Sequence, residues 1–332
     1  MTRAVLLLAF VLLGSCATRP PETFSFALIG DLQYTPFEER VFPQLIDALN
    51  AENLAFVVHV GDFKSGSNSP CTDALFASRK ADFERSRHPF VFLPGDNDWV
   101  DCRRDSNGRM DPLERLDALR KLFFATPESL GVRKMRLDRQ SQWGGEFAPY
   151  AENTMWEAGG VVFAALNIQG SNDNVGFDAA SDAEHKIRTR ANIAWMKEAF
   201  RRARAANAVG LVLFQQANPG FEEPVEVVKA SALTEFVGAF EAEARMHTLP
   251  VMFAHGDTHT FRIDRPYRSP LDKREIRNVM RVEGHGSPRV NWLRITIDAN
   301  DRSAPFRVES GGFTLPAEAH RRGRFGFGDP AA

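Results

Sequence analysis

The sequence predicts an α/β fold in which two sheets pack against each other between helices. Strand-like apolar runs alternate with helical stretches through the first two-thirds of the chain. After His259 the pattern changes to short segments that alternate apolar and polar residues, as antiparallel strands do. Six of the apolar runs stop abruptly at Asp, Asn, Gln or His. Ligands of open α/β sheets bind where the carboxyl ends of the strands converge, so these six endings predict one shared polar site.

Taken in order, Phe26-Ala27-Leu28-Ile29 runs into Gly30-Asp31-Leu32-Gln33, and a helix is expected over 38–52. Phe56-Val57-Val58-His59-Val60 runs into Gly61-Asp62, followed by a helix over 72–87. Phe90-Val91-Phe92-Leu93 reaches Gly95-Asp96-Asn97-Asp98, followed by a helix over 113–125. The run 161–166 reaches Asn167 and then Gly170-Ser171-Asn172. A polar stretch, 171–186, is long for a plain connection and reads as a functional loop. The helix expected over 187–206 carries Ile187, Ala191, Ala194, Trp195, Ala199 and Phe200 at helical spacing. Leu211 to Phe214 reaches Gln215-Gln216-Ala217-Asn218, with a helix over 230–246, and Val251 to Ala254 reaches His255-Gly256-Asp257-Thr258-His259. Segments 261–264, 279–283, 290–297 and 306–308 read as a closing run of antiparallel strands.

Formal net charge is −2, so no global basic field points to nucleic acid. The basic clusters at 201–204 and 321–324 read as a solvated helix face and a polar tail. The 27 phenylalanines read as core, and His59, inside an apolar strand, as a core histidine.

The first residues stand apart from the fold. Ala4 to Leu13 is an apolar run behind Arg3, too short to span a bilayer, and reads as a secretory signal. Leu13-Gly14-Ser15-Cys16 resembles the lipobox of bacterial lipoproteins, which implies cleavage after residue 15 and a lipid on Cys16. Ala17 in place of Asp resembles outer-membrane sorting, so the expectation is an exported protein held by its lipid at the outer membrane and facing the periplasm. The expected organisation is a leader over 1–15, a tether over 16–23, one domain over 24–312 and a poorly ordered tail over 313–332. Cys71 and Cys102 then remain, an even pair that suggests a disulfide in an oxidising compartment, with two separate buried thiols as the alternative.

The order of strands, the Gly-Asp turns and the His-containing turn before the last strands resemble the calcineurin-like metallophosphoesterases over nearly all of 24–300. That resemblance implies a four-layer αββα sandwich and a metal-bound hydroxide that attacks phosphorus. It assigns Asp31, Gln33, Asp62, Asp96, Gln216, Asp257 and His259 to metal positions, with Asp62 at the bridging one. Gln33 stands where the family has His, Asp96 where it has Asn, Asn97 where it has the assisting His, and Asp257 where it has another His. Asn97 and His255 are the expected catalytic residues, and Asn172, Asn218 and His285 the expected substrate contacts.

Every replacement is an oxygen donor, which favours Mg²⁺, Mn²⁺ or Ca²⁺, one ion or two, over Zn²⁺ or Fe. Buried carboxylates without a cation repel one another, so their survival favours a bound ion. The expected function is hydrolysis of a phosphorylated small molecule or lipid. The alternative is a non-catalytic binding lipoprotein on the same scaffold.

Overall fold

The computed structural model describes residues 23–314. The leader, Cys16 with its tether and most of the tail lie outside the described residues. Strand β1 (Thr23–Ile29) opens the first sheet and is followed by α1 (Pro36–Ala51), β2 (Val57–His59), α2 (Asp73–Glu84), β3 (Phe90–Phe92) and α3 (Pro112–Phe123). Thr35, Thr72 and Asp111 cap the three helices by accepting from the amides of Glu38, Leu75 and Leu113. Pro36 and Pro112 fit the first turn, where no intrahelical N–H bond is due, so α1 starts two residues earlier than apolar periodicity indicates.

The second sheet begins with the hairpin β4 (Asp138–Arg139), β5 (Thr154–Ala158) and β6 (Val161–Ala165). A single turn, α4 (Gly170–Asp173), leads to the long helix α5 (Ala179–Ala205). Then come β7 (Gly210–Phe214), α6 (Val225–Lys229), α7 (Thr234–Met246) and β8 (Val251–His255). Helix α5 begins well before residue 187 because Asp178 caps it at the Ser181 amide; its first turns are polar and carry no apolar period. The chain continues through β9 (Arg262–Asp264), the small ribbon β10 (Tyr267–Arg268) and β11 (Glu275–Ile276), then β12 (Val279–Glu283). It ends with β13 (Leu293–Asp298) and β14 (Phe306–Ser310).

The last strands do not form the simple antiparallel run expected. Strand β12 lies parallel to β8, with Val279 opposite Val251, and antiparallel to β9. Strand β13 crosses to the first sheet and pairs antiparallel with β1, Thr23 opposite Asp298. Alternation along a strand marks its buried face but not its partner, so this crossover was not legible. The resulting orders are β14-β13-β1-β2-β3 and β4-β5-β6-β7-β8-β12-β9.

Three apolar clusters fill the layers, giving the αββα sandwich. Phe42, Phe76, Phe83 and Leu119 pack α1 to α3 on the first sheet, and Trp195, Phe200, Phe236 and Phe240 pack α5 and α7 on the second. Between the sheets, Phe26 stacks on Phe56 at 4.9 Å and meets Phe163 edge-on at 5.6 Å, and Trp156 stacks on Phe163 at 5.4 Å. The parallel strands β1, β2 and β3 carry buried residues on both faces, so no alternation marks them.

Cys71 and Cys102 form a disulfide with Cα atoms 5.7 Å apart, both residues buried. It ties the start of α2 to the loop after β3. Replacing both cysteines by Ala is expected to cost about 3–4 kcal/mol by the chain-entropy relation, measured by urea unfolding.

His59 is fully buried among Phe42, Phe83, Phe90 and Phe92, and its Nδ1 accepts from the Gly61 amide at 3.2 Å. Burial pushes its pKa down to about 3 from 6.5, so the folded chain holds it neutral. The unfolded chain takes up that proton as pH falls below 6.5, and the contribution of His59 to stability is lost progressively between pH 6.5 and about 3. His59→Leu removes this dependence and orphans the Gly61 amide, at a cost of about 1–3 kcal/mol. Denaturant melts of both proteins from pH 4 to 8 check the two effects.

Candidate functional site

The carboxyl ends of β1, β2, β3, β6, β7 and β8 deliver their loops to one place, at the end of the two facing sheets. Asp62 sits at the centre. Its Oδ1 accepts from the Asn97 amide at 3.0 Å, and its Oδ2 accepts from the Tyr34 hydroxyl at 3.0 Å and from Gln216 Nε2 at 3.3 Å. One carboxylate therefore touches the loops after β1, β3 and β7. Gln216 also reaches Asp257 Oδ1 at 3.5 Å, and its Oε1 accepts from the Gly170 amide at 2.7 Å. Asp31 Oδ1 accepts from the Asp257 amide at 3.0 Å, which joins the β1 loop to the β8 loop.

Backbone conformation makes this convergence possible. Asp31, Gln33, Asp62, Asp257 and His259 all take positive φ, between 52° and 84°. Five non-glycine residues take that region on the loops that meet here, a conformation most side chains avoid. Glycine is needed where the loops touch: a Cβ on Gly95 would lie 2.0 Å from Asp62 Oδ1, and one on Gly256 would lie 2.1 Å from Asp31 Oδ2.

Burial dominates the electrostatics. Asp31 and Asp62 are held well above the usual carboxylate range, first by desolvation and then by the neighbouring Asp257, Asp96 and Asp98 charges. Desolvation likewise pushes Asp257 and Asp98 up to about 7 and Asp101 up to about 6. Lys64, fully buried beneath the cluster, donates to the carbonyls of Ser65 and Asn97 at 2.7 and 2.8 Å. Burial pushes its pKa down to about 8 while the surrounding aspartates pull it back up. Lys64 is thus an internal counter-charge, but a single one.

The sequence-predicted residues divide by placement. Asp31, Asp62, Asp96, Asp257, Gln216 and Asn97 are brought together, and His259 flanks them with Nε2 3.7 Å from Asp31 Oδ1. His259 Nδ1 lies 2.8 Å from the Ser287 carbonyl, which can only accept, so Nδ1 donates there and Nε2 faces the cluster. Gln33 turns its Nε2 to Asp82 on α2 at 2.9 Å, and its Oε1 is buried without a hydrogen-bond partner among the described residues. Asp98 is occupied by the Asp62, Phe63 and Gly95 amides and holds the turn rather than facing the site.

His255 faces the outer layer, with Nδ1 donating to the Gly256 carbonyl at 2.7 Å and the ring stacked on Phe221. Burial pushes its pKa down to about 3, so it is neutral near pH 7 and unsuited to the proton-donor role expected of it. His285 packs on Phe261 and lies 3.2 Å from Ser310 Oγ, away from the cluster. Asn218 offers its backbone amide to Asp257 at 2.8 Å while its side chain bonds Glu222, and Asn172 sits exposed on the α4 turn.

Sequence reasoning missed Tyr34, Lys64, Ser171 and Arg104. Tyr34 bridges Asp62 and Asn97, whose Nδ2 donates to its hydroxyl at 2.9 Å. Ser171 Oγ lies 2.7 Å from Asp96 Oδ2 and 2.9 Å from Asp101 Oδ1. Arg104 pairs with Asp101 at 2.7 Å and keeps a half-exposed guanidinium at the rim. Tyr34 and Ser171 stand next to the predicted Gln33 and Asn172 in the chain, and Lys64 two residues after Asp62, a signal that was available; Arg104 had none.

The donor set suits a hard cation: four carboxylates and an imidazole, with Asp31 Oδ2 and Asp96 Oδ1 buried and lacking a hydrogen-bond partner among the described residues. In the present arrangement no three His, Cys, Asp or Glu side chains among the described residues close on one metal-sized point. Tyr34 and Gln216 stand between them.

A family model described as calcineurin-like phosphoesterase matches residues 24–176. No curated protein matches the chain in sequence. Among solved structures, PhoD is similar at a TM-score of 0.52 and 12% identity, over 87% of this chain and 68% of that one. A dimetal phosphatase from Danio rerio is similar at a TM-score of 0.50 and 12% identity, over 82% of this chain and 95% of that one. At such identities the two likenesses concern fold. The chain thus has the two-sheet α/β fold of these phosphatase structures, and its residues 24–176 are similar to the calcineurin-like phosphoesterase family.

Proposed function

We propose that the protein is a metal-dependent phosphoester hydrolase whose cation would be held by Asp31, Asp62, Asp96, Asp257 and His259, while Gln216 turns its Nε2 rather than its Oε1 toward these carboxylates. The observation that carries this reading is the pair of unpartnered carboxylate oxygens, Asp31 Oδ2 and Asp96 Oδ1, inside a cluster that one buried lysine does not neutralise. A divalent cation supplies Lewis acidity toward a phosphoryl oxygen and lowers the pKa of bound water. Oxygen donors favour Mg²⁺, Mn²⁺ or Ca²⁺.

The chain's own groups have limited proton chemistry. Burial and the neighbouring Asp62 and Asp31 charges hold the Tyr34 hydroxyl well above its usual pKa, so it stays protonated and donates a hydrogen bond. Asn97 can hydrogen-bond a phosphoryl oxygen but cannot protonate a leaving group. Arg104 at the rim supplies positive charge for an incoming phosphate. Turnover should therefore favour good leaving groups, because general acid catalysis contributes roughly 10²–10⁴-fold where it operates.

Export is part of the proposal. The leader and the Leu13-Gly14-Ser15-Cys16 run support lipid anchoring at Cys16 on the periplasmic side of an outer membrane, and the Cys71–Cys102 disulfide supports an oxidising compartment. One observation favours a second reading, a non-catalytic binding protein: Tyr34 and Lys64 already satisfy part of the carboxylate charge.

Calorimetry on the purified protein separates the two readings. We expect binding of Mg²⁺, Mn²⁺ or Ca²⁺ that Asp62→Asn removes, and no heat with any of these or Zn²⁺ would leave the binding protein as the better account. With metal present, aryl phosphate mono- or diesters should turn over faster than alkyl ones by about 10² or more, and Asp62→Asn should fall to background. Wild-type rates in that variant would place the chemistry elsewhere.

A further inference from the structure

Beside the carboxylate cluster lies a pocket of about 270 Å³ that the mechanism does not use. Asp257 belongs to both, and Gly170, on the pocket wall, comes so close to the cluster that a Cβ there would lie 2.9 Å from Asp96 Oδ1 and 3.0 Å from Asp257 Oδ1. The far wall is apolar: Pro219, Val227, Val228 and Leu233, contributed by the β7 loop, α6 and the start of α7. Val227 is 53% exposed, so its side chain stands open to whatever enters the pocket. Two lining residues, Gln169 and Ser231, each hold a buried oxygen with no hydrogen-bond partner among the described residues.

The near wall is strained backbone. Ser171, Asn172, Asp173 and Asn174 all take positive φ, from 46° to 70°. Four such residues in succession cost about 1–2 kcal/mol each. The turn persists because buried Arg188 donates to Asp173 Oδ1 at 2.6 Å and to its carbonyl at 3.0 Å, while Asn172 Oδ1 accepts from the Ala232 amide at 3.1 Å. The last bond clasps the strained turn to the apolar wall across the pocket. Strain kept in place by a dedicated buried arginine signals a shaped binding site.

We propose that this pocket receives the alcohol portion of the substrate, and that the substrate class is phosphate esters of a compact apolar or aromatic alcohol bearing a hydrogen-bond donor. This rests on the phosphoester reading above: with phosphate at the carboxylate cluster, the ester oxygen points past Asp257 into the pocket. The ring or alkyl body packs on Val227, Val228 and Leu233. The donor meets the unpartnered oxygen of Gln169 or Ser231. Polar, heavily hydrated alcohols such as glycerol gain nothing from such a wall.

The test uses non-hydrolysable probes, which removes leaving-group reactivity from the comparison. Phenylphosphonate and methylphosphonate are titrated into the detergent-solubilised full-length protein with Mg²⁺ or Mn²⁺ present, with methyl NMR of Val227, Val228 and Leu233 as a second readout. The expected result is phenylphosphonate binding at least tenfold tighter, with shifts of those methyls. Val227→Asp, at an exposed position that folding tolerates, should abolish the preference and leave methylphosphonate affinity within about twofold. Equal affinity for the two probes with unmoved methyls overturns the subsite and leaves the phosphoester reading standing. If neither phosphonate binds but benzyl alcohol shifts the methyls, the apolar subsite stands and the phosphoester reading falls. If neither phosphonate binds and benzyl alcohol moves nothing, both are overturned.

Discussion

Burying several carboxylates at one point is the constraint on which this structure turns. Desolvation and mutual repulsion oppose it, and the surrounding chain is arranged to offset them. Asp98 accepts three backbone amides and so holds the Gly61-Asp62 turn against the loop after β3. Lys64 places its ammonium under the same loop, bonded to the Asn97 carbonyl. The disulfide braces that loop from the other side, since Cys102 lies four residues beyond Asp98. Each device acts on the segment that presents Asp62, and through Asp62 on Tyr34, Asn97 and Gln216.

That arrangement needs two sheets held in a fixed relation. Asp62 comes from the first sheet and Gln216 from the second, so their contact depends on the aromatic layer between them, where Phe26, Phe56, Trp156, Phe163 and Phe214 interlock. A close-packed aromatic core resists sliding, because displacement of one ring forces its neighbours off their minima. The loops then reach across the gap by taking left-handed backbone at the residues that carry the chemistry. Strain concentrated there is tolerated because the strands below supply the stability.

The same logic explains the neighbouring pocket. Arg188 lies on the buried face of α5 and satisfies Asp173, Glu184 and the Asn167 carbonyl from the interior. Its burial makes sense as support for the α4 turn. Between that turn and α6 the protein encloses apolar surface directly beside its most polar site, the juxtaposition expected of a ligand with two unlike ends.

Local pattern determined much of this in the sequence alone. Apolar runs that stop at Gly-Asp, Gly-Asp-Asn-Asp or His-Gly-Asp-Thr-His marked the strand ends and placed Asp31, Asp62, Asp96, Asp257 and His259 in one site, because side-chain chemistry and strand termination are both written in adjacent residues. An even pair of cysteines likewise pointed to the disulfide. Tertiary structure alone decided which way each side chain turns. Gln33 and His255 carried the right chemistry, but Gln33 turns its Nε2 to Asp82 on α2 and strand alternation buries His255 behind the sheet. Tyr34 and Ser171 became functional neighbours through contacts across tens of residues, Arg104 reaches the Gly66 carbonyl 38 positions back, and β13 found β1 by crossing between sheets. Those outcomes depend on packing between segments far apart in the chain, and no local periodicity encodes them.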